Sequence, residues 1–271
     1  MRLTPYERDV QREIESWQHR DSSFVMQAVN WAMQPVDWVV RQIVSPDLED
    51  QAGAAVEQLL SMLNDASTWT YDAAGLLEKA RQEGLDVERI EDLREAPLET
   101  LDPLARGLFS QHAVMAAVEG GGAGLGGIAF IAADIPLLFT INLRLIQQIG
   151  AIFGFPMHGP EYRPLVLSIF NVAASGGKEA KNAALREVSV AAAAVANELA
   201  YKGRVSGTFR DQTRQFPREI AKNLLGRKLA QTIPIAGAAV GAGVNYWFTT
   251  ETAETAFMLF RALYIEHKER L

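Results

Sequence analysis

Apolar positions recur every three to four residues along most of this chain, the period of helices buried on one side. Tyr6, Val10, Ile14 and Trp17 fall on one face, at spacings of four, four and three. Thr4, Pro5 and Glu7 fit N-cap, first-turn and N3 positions of a capping box, in which the Thr oxygen accepts a free amide proton and Glu7 reaches back to the cap. The same reading predicts a second helix over 23–44 and a third carrying Val56, Leu59, Leu60 and Leu63. A fourth covers 70–83 and is stopped by Gly84. Asp102 and Pro103 read as a cap and a first-turn proline opening a helix toward Val118. Residues 178–201 are rich in alanine, the best helix former, and Ala253, Ala256, Phe257, Phe260 and Tyr264 give the last helix its stripe. Few stretches alternate polar with β-branched apolar residues. The expectation is an all-α, multi-helix globular bundle forming one domain over 1–271, with N-terminal helices at 4–100, a glycine-rich hairpin at 103–155 and C-terminal helices at 161–270.

Two segments stand apart from this pattern. Between Gly107 and Leu143 the only charged residues are Glu119 and Asp134, and the run 120–127 holds six glycines. Each glycine inside a helix costs roughly 1 kcal/mol relative to alanine, so close backbone approach is expected to offset it. Gly120 and Gly124 stand four apart on one helical face, and Gly237 and Gly241 repeat that spacing in the second segment, 229–250, which carries no charge. A membrane span needs about 20 mostly apolar residues, and 229–250 just qualifies, although Gln231, Thr232, Pro234 and Asn245 weaken it. Asp134 sits badly in a lipid-facing helix but well as an N-cap with Pro136 in the first turn, which predicts a tight hairpin whose second helix runs to Phe153 and stops at Gly154 and Pro156. Two readings therefore stand: a buried hairpin packed through small residues, or a hairpin that enters or lies on a bilayer.

Charge changes this picture more than composition does. The 271 residues carry a net charge of −7, which argues against a protein that coats nucleic acid, and mean hydropathy is near zero. Residues 82–102 hold eight acids against two bases, whereas 202–228 hold eight bases against two acids. Within the basic block Arg210, Arg214, Arg218 and Lys222 recur every four residues, just ahead of the second apolar segment. Such a stripe suits anionic lipid head groups; it can equally be a solvated face or the partner of the acidic block. The absence of cysteine excludes disulfides and thiolate chemistry and fits a reducing cytosol. The first residues lack the basic-then-apolar order of an export signal, so no cleaved leader is expected.

Candidate chemistry is sparse. Gly122, Gly124 and Gly127 match a G-x-G-x-x-G pattern, but no strand is predicted before it and no ribose-binding acid follows at the required distance. The four histidines have no metal-ligand spacing, and neither a nucleophile elbow nor a phosphate loop is present; no catalytic residue, metal or cofactor is assigned. Asp134, Asn142 and Arg144 are the notable polar set of the first apolar region, expected either to hold the hairpin together through a buried ion pair or to line a small-ligand pocket. Among five tryptophans, Trp17, Trp31 and Trp38 are expected in the core, whereas Trp247 with Tyr246 is the better interfacial candidate.

Three features taken in order resemble the EcsC family of bacterial proteins. They are Tyr6-Glu7 followed by Trp17; the glycine run leading to Asp134, Ile135, Pro136, Arg144, Ile149 and Gly154; and Lys228-Leu229 followed by Gln231, Ile233, Pro234, Gly237, Ala238, Gly241 and Asn245. Phe153 stands where a tyrosine is more usual. The resemblance implies a link to membrane or secretion processes, since the family is named for a protein encoded beside an ABC transporter. It supplies no catalytic residues. It implies structural or ligand-contacting roles for Asp134, Pro136, Arg144, Pro234, Gly237, Gly241 and Asn245.

The expectation is a non-enzymatic protein associating peripherally with the cytoplasmic face of the membrane through Arg210, Arg214, Arg218 and Lys222 and the glycine-rich segments. Its partner would be anionic lipid or a transporter component, not nucleic acid. The alternative is a soluble enzyme or small-ligand binder with its pocket around Asp134, Asn142 and Arg144.

Overall fold

The computed structural model describes residues 2–20, 57–124, 128–175, 177–197 and 237–271, with backbone alone for 122–124, 128–134 and 237–241. Every regular element among them is helical: α1 (Pro5–His19), α2 (Ala73–Gln82), α3 (Leu98–Gly124), α4 (Ile128–Ile152), α5 (Arg163–Ser175), α6 (Lys178–Ala196) and α7 (Gly237–Arg270), with further helical residues at 57–64 and short 3-10 turns between. The all-α expectation holds. The helix expected over 23–44, with Trp31 and Trp38, and the basic block at 202–228 lie outside the described residues.

Local signals place several ends where the sequence puts them. Thr4 accepts from the Glu7 amide while the Glu7 carboxylate accepts from the Thr4 amide, closing the capping box of α1. Asp72 caps α2 through the Gly75 amide, and Gly84, at φ +84°, turns the chain after it. Gly154, at φ +82°, ends α4 in the same way.

Two starts are corrected. α3 begins at Leu98, five residues before Pro103, and Asp102 is interior to the helix rather than its cap. Leu98 and Leu101 are fully buried, and that packing outweighs the hydrogen bond lost at Pro103, whose exposed position leaves the Glu99 carbonyl to water. α4 likewise begins at Ile128 and carries Pro136 inside it, so Asp134 is not an N-cap. Ile135, Leu138 and Phe139 are buried on either side of the proline and hold the helix through it.

The architecture centres on α3 and α7, which run antiparallel. Tyr264 near the end of α7 donates to the Ala96 carbonyl at 2.8 Å, and Asn245 near its start donates to the Ala116 carbonyl at 3.1 Å. α4 folds back against α3, α5 and α6 pack on α7, and α1 crosses the C-terminal half of α7. One buried cluster runs from Val10 to Ile265, including the expected Ala253, Ala256, Phe257, Phe260 and Tyr264. Phe139, Phe170 and Phe248 join α4, α5 and α7 with ring centroids 5.3–6.1 Å apart.

Candidate functional site: the two ends of the α3–α7 pair

The two ends of this helix pair differ in chemistry. At the end holding the start of α3, charged groups from three helices are drawn together. Arg261, 2% exposed, donates to Asp102 at 2.9 Å and to Glu13 at 2.8 Å. Tyr6 donates to the same Asp102 oxygen at 2.7 Å, and Lys268 pairs with the buried Glu7. The Arg106 and Arg261 guanidinium groups stack on Phe257, 4.4 and 4.6 Å from its ring centre. Burial, only partly opposed by Tyr6 and Arg261, pushes the Asp102 carboxyl above its usual range. This cluster fastens α1 to α3 and α7.

The other end is apolar. Five of the six large hydrophobic side chains exposed among the described residues are Val114, Met115 and Val118 on α3, Leu137 on α4 and Tyr246 on α7. Asn245, beside Tyr246, bonds to Ala116 across the pair. α3 ends at Gly124 and α4 begins at Ile128, so Val118 and Leu137 lie within about three turns of the facing ends of those helices. The outer face of α3 passes from Arg106, Gly107, Ser110 and Gln111 to Val114, Met115 and Val118 over this length, with Val118 70% exposed. The outward stripe of α3 thus turns apolar toward the hairpin.

The polar set expected near the hairpin is divided. Asn142 is fully buried and donates to Leu138 at 2.8 Å and to Thr249 on α7 at 3.1 Å, linking the two helices. Arg144, two residues on, is exposed on the other side of α4, and no ion pair of it is found among the described residues. The backbone of Asp134 lies in α4; its side chain is outside the described set, as are Arg210, Arg214, Arg218 and Lys222. Gly120 is buried in α3, Gly124 ends that helix, and Gly237 and Gly241 lie in the first turns of α7. A close approach that the sequence reading missed is at Gly150 on α4, where a Cβ would stand 2.7 Å from the Phe260 ring. Trp247 is corrected: it is 1% exposed, and Tyr246 alone faces outward.

Other chemistry is limited among the described residues. No group of three or more His, Asp or Glu side chains is arranged to hold a metal ion. Two small clefts, one between α2, α3 and α4 and one at Trp17, Arg20, Lys181, Glu251 and Glu254, each have room for about one water, near 10 Å³. One helical stretch, Ile135–Ile152, is long and apolar enough to cross a bilayer, with mean hydropathy 1.4, but 72% of it is buried in the fold.

Against known proteins, the profile described as the EcsC protein family matches residues 8–264. The chain is 28% identical over 178 residues to "Uncharacterized protein YdbA" of Bacillus subtilis (strain 168), covering 64% of the chain and 61% of that relative. It is 31% identical over 157 residues to "Protein EcsC" of the same organism, covering 58% of the chain and 61% of that relative. The matched regions thus span about three fifths of each relative's length. No solved structure matches.

Proposed function

The chain belongs to the EcsC protein family, and on that premise we propose that it is a non-enzymatic helical protein that docks peripherally on the cytoplasmic face of an anionic membrane. The observation that carries the reading is the exposure of Val114, Met115, Val118, Leu137 and Tyr246 toward the apolar end of the α3–α7 pair. The choice of an anionic bilayer as occupant is supported by chain order: Lys222, the last residue of the basic stripe, precedes Gly237, where α7 starts at this apolar end, by 15 residues. A basic segment that closely precedes, in sequence, a helix with exposed apolar side chains at its start suits the interface, where head groups meet acyl chains. In this reading α4 stays in the core, because most of its apolar surface is already covered by protein.

The test is co-sedimentation with phosphatidylserine-containing and neutral vesicles across a salt series. Salt-sensitive binding to the anionic vesicles is expected. Each Lys or Arg near an anionic surface contributes about 1 kcal/mol, so the Arg210→Glu/Arg214→Glu/Arg218→Glu variant should bind at least about a hundredfold more weakly. Val118→Asp with Leu137→Asp should lower binding about tenfold or more at fixed salt. Protein that ignores both vesicle types overturns the proposal.

A further inference from the structure

The buried acid that no other feature uses is Glu187 on α6. It is 1% exposed, and neither carboxylate oxygen has a hydrogen-bond partner. It shares the inward face of the helix with Ala183, Ala184, Val188, Ala191 and Ala192, all buried. Among the described elements α1, α5 and α7 pack on α6. Arg163, the sole charge on α5, donates to Asn64 at 2.7 Å. Arg20, after α1, pairs with Glu254 of α7, and Glu251 lines the same cleft as Lys181. On α7, Arg261 is held by Asp102 and Glu13, and Lys268 by Glu7. On α6 itself, Lys181 donates to the Trp17 and Arg20 carbonyls and stacks on Trp17. Among the described residues no cation pairs with Glu187.

An ionised carboxylate in such a place is paid for by desolvation with nothing returned, so the packed helix favours the proton-bearing form. We propose that Glu187 makes the seating of α6 on α5 and α7 proton-dependent: with the carboxyl neutral the helix stays packed, and with it ionised the helix opens locally to let the charge reach water. In chain order α6 is the last described helix before the segment that carries the basic stripe. The inference stands on the packing of α6 and does not rest on membrane docking. Burial moves the Glu187 carboxyl from 4.5 up to about 7, which sets the window in which the device acts.

Hydrogen exchange of peptides covering 178–196 tests it, at pH 6 and pH 8 with the intrinsic rate corrected and α3 as an internal reference. If the open form titrates at 4.5 and the closed form at about 7, opening rises roughly tenfold between those pH values. The expected result is a tenfold loss of protection in α6 of the natural protein and no change for Glu187→Gln. Equal protection of natural α6 at both pH values overturns the proposal, and so does an equal loss in Glu187→Gln or a loss shared in full by α3. A carbon-13 titration of the natural Glu187 carboxyl decides independently if the variant fails to fold: a midpoint at the ordinary carboxylate value sinks the idea.

Discussion

Gly84 and Gly154 have nearly the same backbone conformation, with φ of +84° and +82°, and opposite surroundings. A Cβ at Gly84 meets nothing within 4 Å, whereas one at Gly154 stands 2.4 Å from the backbone nitrogen of Arg94 and 2.8 Å from its Cα. Replacing each by alanine therefore separates conformational cost from steric cost. The left-handed conformation costs an L-residue about 1–2 kcal/mol, and the stiffer unfolded chain returns up to about 1 kcal/mol, so Gly84→Ala should destabilise by roughly 1 kcal/mol or less. Gly154→Ala adds an overlap that only backbone movement relieves, at about 1–3 kcal/mol. That movement also disturbs the 2.7 Å bond from Arg94 to the Gly154 carbonyl and the stacking of Arg94 on Phe155. Weakening them adds about 1 kcal/mol, for a total near 3 kcal/mol. Urea unfolding at 25 °C, followed by circular dichroism, gives both differences from the midpoints at a common slope. If Gly154→Ala lies within about 0.5 kcal/mol of Gly84→Ala, the contact between Gly154 and Arg94 does not limit the fold and the reasoning is refuted.

Arg261→Met leaves Asp102 buried without its cation and should cost about 3–5 kcal/mol in the same urea assay, with Asp102→Asn in the same chain recovering at least about 1 kcal/mol; strict additivity of the two would show that they do not interact. For Glu187 the folded carboxyl holds its proton up to about 7 and the unfolded one only to about 4.5, so the folded state binds more protons in that window and stability falls as pH rises through it. The fall amounts to about 3 kcal/mol for this 1%-exposed group, and Glu187→Gln should abolish it; parallel pH profiles for the two proteins would contradict the assignment.

Much of this fold was legible because its elements obey the helical period. Val10, Ile14 and Trp17 on α1 and Ala256, Phe257, Phe260 and Tyr264 on α7 are buried as their spacing requires. The misread boundaries were those where a local signal competed with burial. Pro103 and Pro136 both mark helix starts by their chemistry, and both lie inside helices because the leucines, isoleucine and phenylalanine around them are packed. Helix rotation was harder still. α7 is touched by α1, α3, α4, α5 and α6 in succession, so its apolar residues do not keep to one face. From residue types alone, Trp247 and Tyr246 were equally good interfacial candidates; only the packing of five helices puts the indole inside and the phenol out.

The charged interior was not legible at all, since Glu7, Asp102, Lys181 and Arg261 each look like surface residues until a partner far along the chain is found. Their contacts give physical content to the sequence features that carry the family resemblance. Tyr6 bonds to Asp102, Glu7 to Lys268, and Trp17 lies under Lys181, so the N-terminal feature is a set of fastenings that close the first helix onto the later ones. Asn245 bonds across to Ala116 and makes the corresponding link at the opposite end of α3 and α7. Val114, Val118 and Leu137 are different in kind. Val118, 70% exposed, loses little packing when turned polar and should cost the fold within about 0.5 kcal/mol, whereas Leu137, 43% exposed, should cost about 1–2 kcal/mol. A loss of vesicle binding in Val118→Asp/Leu137→Asp can therefore be read as lost docking once the variant is shown to remain fully folded under the binding conditions, and Val118→Asp alone should show part of the same loss at an unfolding midpoint that hardly moves.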